Sequence, residues 1–139
     1  MKFIKLTTYN TEEEIDNIIS EFDSMALSFM TKIYEMQKHI SFDTEENITV
    51  MYAEMEDTQV NEFLSIHVKY GVKFSYEDIT KSILFGNVPV INEEKIEELK
   101  ALINLFIEEN LNSDIVLDKI NEMGVEFISE QDKKVLAIL

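Results

Sequence analysis

Hydrophobic positions change their spacing along this chain, and the changes divide it. The opening KFIKLTTY mixes β-branched, aromatic and lysine residues in the manner of a short strand. Thr11 then heads TEEE, which places Glu14 at the capping-box spacing. There the threonine hydroxyl and the glutamate carboxylate each satisfy an amide of the first helical turn, and the acid favours the helix N-terminus. Beyond it Ile15, Ile19, Phe22, Ala26, Phe29, Ile33, Met36 and Ile40 recur at alternating steps of four and three. That period predicts one long N-terminal amphipathic helix from about residue 11 to 39. Ile18 and Met25 widen the stripe toward the face of a globular core helix; an intermolecular helix seam is the alternative.

The period then drops to two. Ile48, Val50 and Tyr52 alternate with Thr49, Met51 and Ala53, which predicts a strand over about 47 to 54, hairpinned with residues 39 to 42 across a polar turn. Residues 60 to 70 fit both periods: Ile66, Val68, Tyr70, Val72, Phe74 and Tyr76 alternate, yet Val60, Phe63, Leu64, His67 and Val68 recur as on a helix. A near-repeat bears on the choice. GVKFSYEDITKSIL begins at Gly71 and GVEFISEQDKKVLAIL at Gly124, and each carries a serine three positions before Asp78 or Asp132. The segment ahead of Gly124, SDIVLDKINEM, has helical spacing and little strand character. If the copies share geometry, each is a helix stopped by a left-handed glycine, a short extended V-x-F, and a new helix capped by Ser75 or Ser129. Phe74 and Ile79 stand at the staple positions around Ser75. Duplication and chance similarity would both produce these words.

Between the copies, Pro89 marks an extended linker, Asn92 is placed to cap a helix, and Ile91 with Ile96 forms a second staple pair. That helix is one-sided at Ile96, Leu99 and Ile103 and then apolar nearly all round at LINLFI. Such a segment is either a central helix or the part that meets another chain, with Phe106 and Ile107 as its contact residues. The expected fold is a single α+β domain over 1–139, mainly α. It has a long N-terminal amphipathic helix, a small antiparallel sheet, and a C-terminal helical bundle with two helix-glycine-corner-helix units.

Charge narrows the class. The 139 residues include 28 acids against 12 basic residues, a net charge of -16, and every basic residue is a lysine. Arginine is the planar bidentate donor that phosphate and base edges select, so its absence together with the negative field argues against nucleic-acid binding and phosphate clamping. A basic partner suits the field. The absence of cysteine removes disulfides, thiolate catalysis and sulfur-ligated zinc. No apolar run approaches the roughly 18 residues of a membrane span, and the N-terminus lacks a signal-peptide core, so a soluble cytoplasmic protein is expected. The richness in Ile, Lys, Asn and Glu is typical of AT-rich bacterial or phage coding.

Motifs for chemistry are weak. DTEENITVMYAE sets Asp43, Glu45, Asn47, Thr49 and Glu54 at EF-hand spacing, but Ile48 stands where the loop needs glycine, and an acidic hairpin explains the stretch better. His39 and His67 lack a second histidine at metal spacing and read as edge-of-core residues. With only 3 glycines, no phosphate-cradling loop is available. Neither catalytic nor cofactor residues are assigned. What remains is the acidic excess, in clusters such as Glu93, Glu94, Glu97 and Glu98 on one helix and Asp43, Glu45 and Glu46 on the hairpin. The expected function is therefore a non-enzymatic acidic protein-binding module. Inhibitors, immunity proteins and antitoxins are the models, some imitating nucleic-acid charge on a nucleic-acid-binding partner. The alternative is a structural or adaptor subunit that assembles through apolar helix faces; a monomer or a homodimer is expected, and a dimer would favour this alternative.

Overall fold

In the computed structural model, residues 1–36, 38–89 and 93–137 are described. Strand β1 (Lys2–Thr8) is followed by helices α1 (Glu12–Ser20) and α2 (Ser24–Glu35), hairpin strands β2 (His39–Glu45) and β3 (Ile48–Met55), helix α3 (Asp57–Lys69) and strand β4 (Phe74–Asp78). Helices α4 (Thr80–Leu84), α5 (Glu93–Asn110), α6 (Ser113–Met123) and α7 (Glu130–Ala137) complete the chain. The four strands form one antiparallel sheet in the order β2-β3-β1-β4. Through β4 this is the β-α-β-β-α-β connectivity of the split βαβ, or ferredoxin-like, arrangement, with two helices in the first crossover. The arrangement by itself carries no activity.

Strand parity sorts the core into two layers. Ile4 and Leu6 of β1 and Met51, Ala53 and Met55 of β3 pack on one face beneath Ile33 of α2 and Val60 and Phe63 of α3. Phe3, Ile40, Val50 and Tyr52 point the other way, against Ile83 and Leu84 of α4 and Leu99, Ile103 and Phe106 of α5. Covered on both sides, β3 is buried at every residue from Val50 to Met55. Phe3 and Phe106 meet edge to face at 5.2 Å, and both are fully buried.

The expected strand at the N-terminus forms, and so does the hairpin expected from residues 39 to 42 and 47 to 54, observed as His39–Glu45 and Ile48–Met55, but the long N-terminal helix does not. The Thr11 capping box opens α1, with hydroxyl and carboxylate each taking a backbone amide. The helix then stops at Ser20. Asp23 adopts an extended backbone (φ -73°, ψ 174°) and accepts the Ala26 amide at 2.7 Å, starting α2 afresh. A side-chain acceptor at a helix start competes with continuation of the helix, so the four-three period runs through two short helices and never one long one.

The two glycine corners also part company. At Gly71 (φ 72°) the Val72 amide reaches the His67 carbonyl and the Gly71 amide that of Val68, a Schellman close to α3. Residues 60 to 69 are thus helical. The next element is β4 and not a Ser75-capped helix: Ser75 pairs with Thr7 and Phe74 with Thr8. At Gly124 the helix–glycine–helix order holds, although Val125–Phe127 is a 3-10 turn and not extended. Ser129 and Asp132 then cap α7 reciprocally at 3.0 and 2.9 Å. The C-terminal helices are not a separate bundle either, since α4 and α5 form the layer over the second sheet face. The expected Asn92 cap and its Ile91 staple lie outside the described residues.

Candidate functional site

Glu93 opens α5, and Glu94, Glu97 and Glu98 are exposed on its first turns, opposite buried Leu99 and Ile103. Acids four apart repel mildly, and the lysine beside them, Lys95, reaches Glu98 at 3.7 Å in a solvated pair worth little. Asp43, Glu45 and Glu46 gather at the exposed end of the hairpin, where Asn47 takes a left-handed backbone (φ 62°). Thr49 donates its hydroxyl to Asp43 at 2.8 Å, so the stretch with EF-hand spacing is a bulged hairpin end. Among the described residues no group of three acids and histidines is placed to hold a metal. Phe106 and Ile107 lie on the inner side of α5, Phe106 sealed beneath Phe3 and Ile107 partly buried against the same cluster.

Two features were not recognised from sequence for what they are: Glu54 entered only as a position of the EF-hand spacing, and the cavity not at all. One is Glu54, whose side chain is 0% exposed, with Lys38 at 3.8 Å as its ion partner and neither carboxylate oxygen hydrogen-bonded. Burial raises its pKa, Lys38 works against that, and nearby Glu109 adds to the rise. A legible signal existed: Glu54 shares strand parity with Val50 and Tyr52, so an inward acid was implied once β3 became a central strand.

The other is a cavity of about 590 Å³ between the α1–α2 pair, α3 and the end of the sheet. Its apolar wall comes from Ile15, Ile18 and Ile19 of α1 together with Phe22, Leu27 and Met30. Its floor includes the paired Thr8 and Thr49, and beside them lies His67. The histidine is 7% exposed and wedged edge-on against Phe63 and Phe74, at 4.4 and 5.4 Å. Nδ1 stands 2.7 Å from the Phe63 carbonyl oxygen. A carbonyl can only accept, so Nδ1 carries the proton and Nε2 remains an acceptor. Burial holds this imidazole below its ordinary pKa, the Phe63 bond opposing in part, so the neutral form is favoured. His39 differs: it is half-buried against Tyr34 and also lowered in pKa by burial.

Helix α1 is held over this cavity from its ends. Lys73 pairs with Glu14 at 3.0 Å near the start, and beyond the other end Phe22 meets Tyr70 edge-on at 4.8 Å while Lys69 reaches Asp23 at 3.4 Å. Yet no residue of α1 is buried. Its isoleucines face space where a core helix would face side chains.

Comparison of the chain with protein-family models, curated proteins and solved structures finds no match.

Proposed function

We propose that the protein is a non-enzymatic binding module that docks an acidic surface on a basic partner protein, as inhibitors, immunity proteins and antitoxins do. The observation that carries this is the division of α5. Its inner side is committed to the sheet through Leu99, Ile103 and Phe106, while its first turns present acids to solvent. Four carboxylates within six residues span about 7.5 Å of helix axis, close to the spacing of one charge per roughly 1.7 Å along a DNA duplex. A basic groove built for nucleic acid would accept such a surface. Assembly through Phe106 would require α5 to leave the sheet, which disfavours the adaptor alternative at this helix.

The test replaces Glu93, Glu94, Glu97 and Glu98 with glutamine and compares capture of partners from the source cell by both proteins across a salt series. The fold is expected to stay intact. A partner held by the parent should bind the variant more than tenfold more weakly at low salt, mainly through a slower on-rate, with the gap closing as salt rises. Equal affinity at every ionic strength would refute charge docking at α5 and move attention to Asp43, Glu45 and Glu46.

A further inference from the structure

We infer that the cavity beneath α1 is a binding site for an uncharged hydrophobic small molecule bearing a hydroxyl, a phenol or an alicyclic alcohol of about two to four rings. This is independent of the acidic docking surface. Four observations converge. The volume, about 590 Å³, lies within the range of small-molecule pockets. The wall is built from aliphatic residues of a helix that buries none of its own residues, so an apolar occupant would supply the packing that Ile15, Ile18 and Ile19 lack.

The polar groups set the head of the ligand. His67 is more than nine-tenths buried, its tautomer is fixed by the Phe63 carbonyl, and Nε2, which no described residue partners, keeps access to solvent where His67 lines the cavity. An acceptor that opens into an otherwise apolar cavity favours an occupant that brings a donor. Asn10, also buried, spends its carbonyl oxygen on the Lys73 amide at 3.0 Å and lines the same cavity with its NH2 donors uncommitted. A hydroxyl both donates and accepts, which neither an ether nor an ammonium does. Charge excludes the remaining class: Glu35 lines the cavity, no lysine does, and the net charge is -16, so a carboxylate ligand such as a fatty acid meets repulsion without a counter-ion.

The test is a matched series on the intact protein: 2-naphthol, 2-methoxynaphthalene and 2-naphthoate. Excited at the red edge of its absorption, beyond that of tyrosine and tryptophan, naphthol can be followed by fluorescence in the parent, which has no tryptophan, and in the variants alike. The expected order is naphthol first, the methyl ether at least fivefold weaker, and no saturable binding of the anion over the same range. Ile19→Trp, a change at a half-exposed position of the cavity wall, should abolish naphthol binding while leaving the circular dichroism spectrum unchanged. His67→Phe should bring naphthol and ether to equal affinity; if that variant fails to fold, the ligand series on the parent protein still decides. Equal affinities for naphthol and ether on the parent, or naphthoate binding as well as naphthol, would overturn the assignment. So would absence of naphthol binding together with a dimer mass in light scattering that Ile19→Trp disrupts, which would make the cavity a seat for a second copy.

Discussion

At Gly71 the chain leaves α3 and enters a strand; at Gly124 it leaves α6, makes one 3-10 turn and enters a helix. The surrounding words, GVKFSYED and GVEFISEQD, differ mainly by one inserted residue, Ile128. In the first copy Phe74 and Tyr76 alternate with Ser75 and Glu77, and that parity lets both aromatics pack on the first core layer while β4 pairs with β1. In the second copy Phe127 and Ile128 are adjacent, the alternation is lost, and no strand edge is taken. Ser129 and Asp132 are then free to cap a helix. A serine three residues ahead of an aspartate is therefore a cap only where no sheet edge competes for the backbone.

The largest expected difference between the copies is at their aspartates. Asp132 and Lys119 form a 2.8 Å pair with side chains 3% and 5% exposed, joining α7 to α6. Asp78, 39% exposed, ends β4 by accepting the Thr80 amide and hydroxyl at 3.0 and 2.6 Å. Asp132→Ala leaves a buried ammonium unpaired and should cost about 3 kcal/mol in urea denaturation, whereas Asp78→Ala should cost about 1. Burial pushes the Asp132 carboxyl up, but the bonds from Lys119 and Ser129 outweigh it and hold its pKa below the ordinary aspartate value. This stabilisation is therefore complete above the unfolded pKa and is lost as pH falls through the lowered native one. Asp132→Asn should flatten that part of the stability profile. A cost at Asp78 equal to that at Asp132 would mean that the copies do similar structural work after all.

The glycines should differ less. Gly71 (φ 72°) sits in the left-handed region with nothing within 4 Å of a Cβ, so Gly71→Ala should cost about 1 kcal/mol and Gly71→Asn a few tenths. Gly124 combines φ 98° with ψ 160°, a region nearly restricted to glycine, and a Cβ there would meet the Glu126 carboxylate at 2.7 Å. Gly124→Ala should cost about 2 kcal/mol, and Asn should not rescue it. Rescue by asparagine at Gly124 would show that both corners use the same backbone conformation.

Local signals made much of the fold legible. The Thr11 capping box, the hairpin strands, the helical residues before each glycine and the Ser129 cap all arise from neighbours within a few positions. The failures have a common cause in longer-range competition. A continuous stripe from Ile15 to Ile40 could not reveal that Asp23 restarts the helix, because apolar period is silent about caps placed on the polar side. The strand at Phe74 depended on an edge that β1, far upstream in the chain, leaves open. The acids of α5 and the hairpin were visible as charge. The cavity was not: Ile15, Ile18 and Ile19 read as ordinary core positions, and only the tertiary arrangement places empty space beneath them.

The smallest effects lie at the serines, where the two copies should respond differently, one with a loss and the other with none or a slight gain. Ser129 accepts the Asp132 amide at 3.0 Å and caps α7, so Ser129→Ala should lower stability by about 1 kcal/mol. Ser75 is exposed in an edge strand, with its hydroxyl 3.1 Å from that of Tyr9. Solvated side-chain bonds of this kind contribute little, and a β-branched residue suits an extended backbone better than serine does. Ser75→Val should therefore be neutral or stabilising by a few tenths of a kcal/mol. Chemical denaturation midpoints resolve the pair, provided the slope is unchanged. If Ser75→Val destabilised as much as Ser129→Ala, the serine would be needed in the strand for its hydroxyl, and competition by the sheet edge would no longer explain why one copy of the word failed to become a helix.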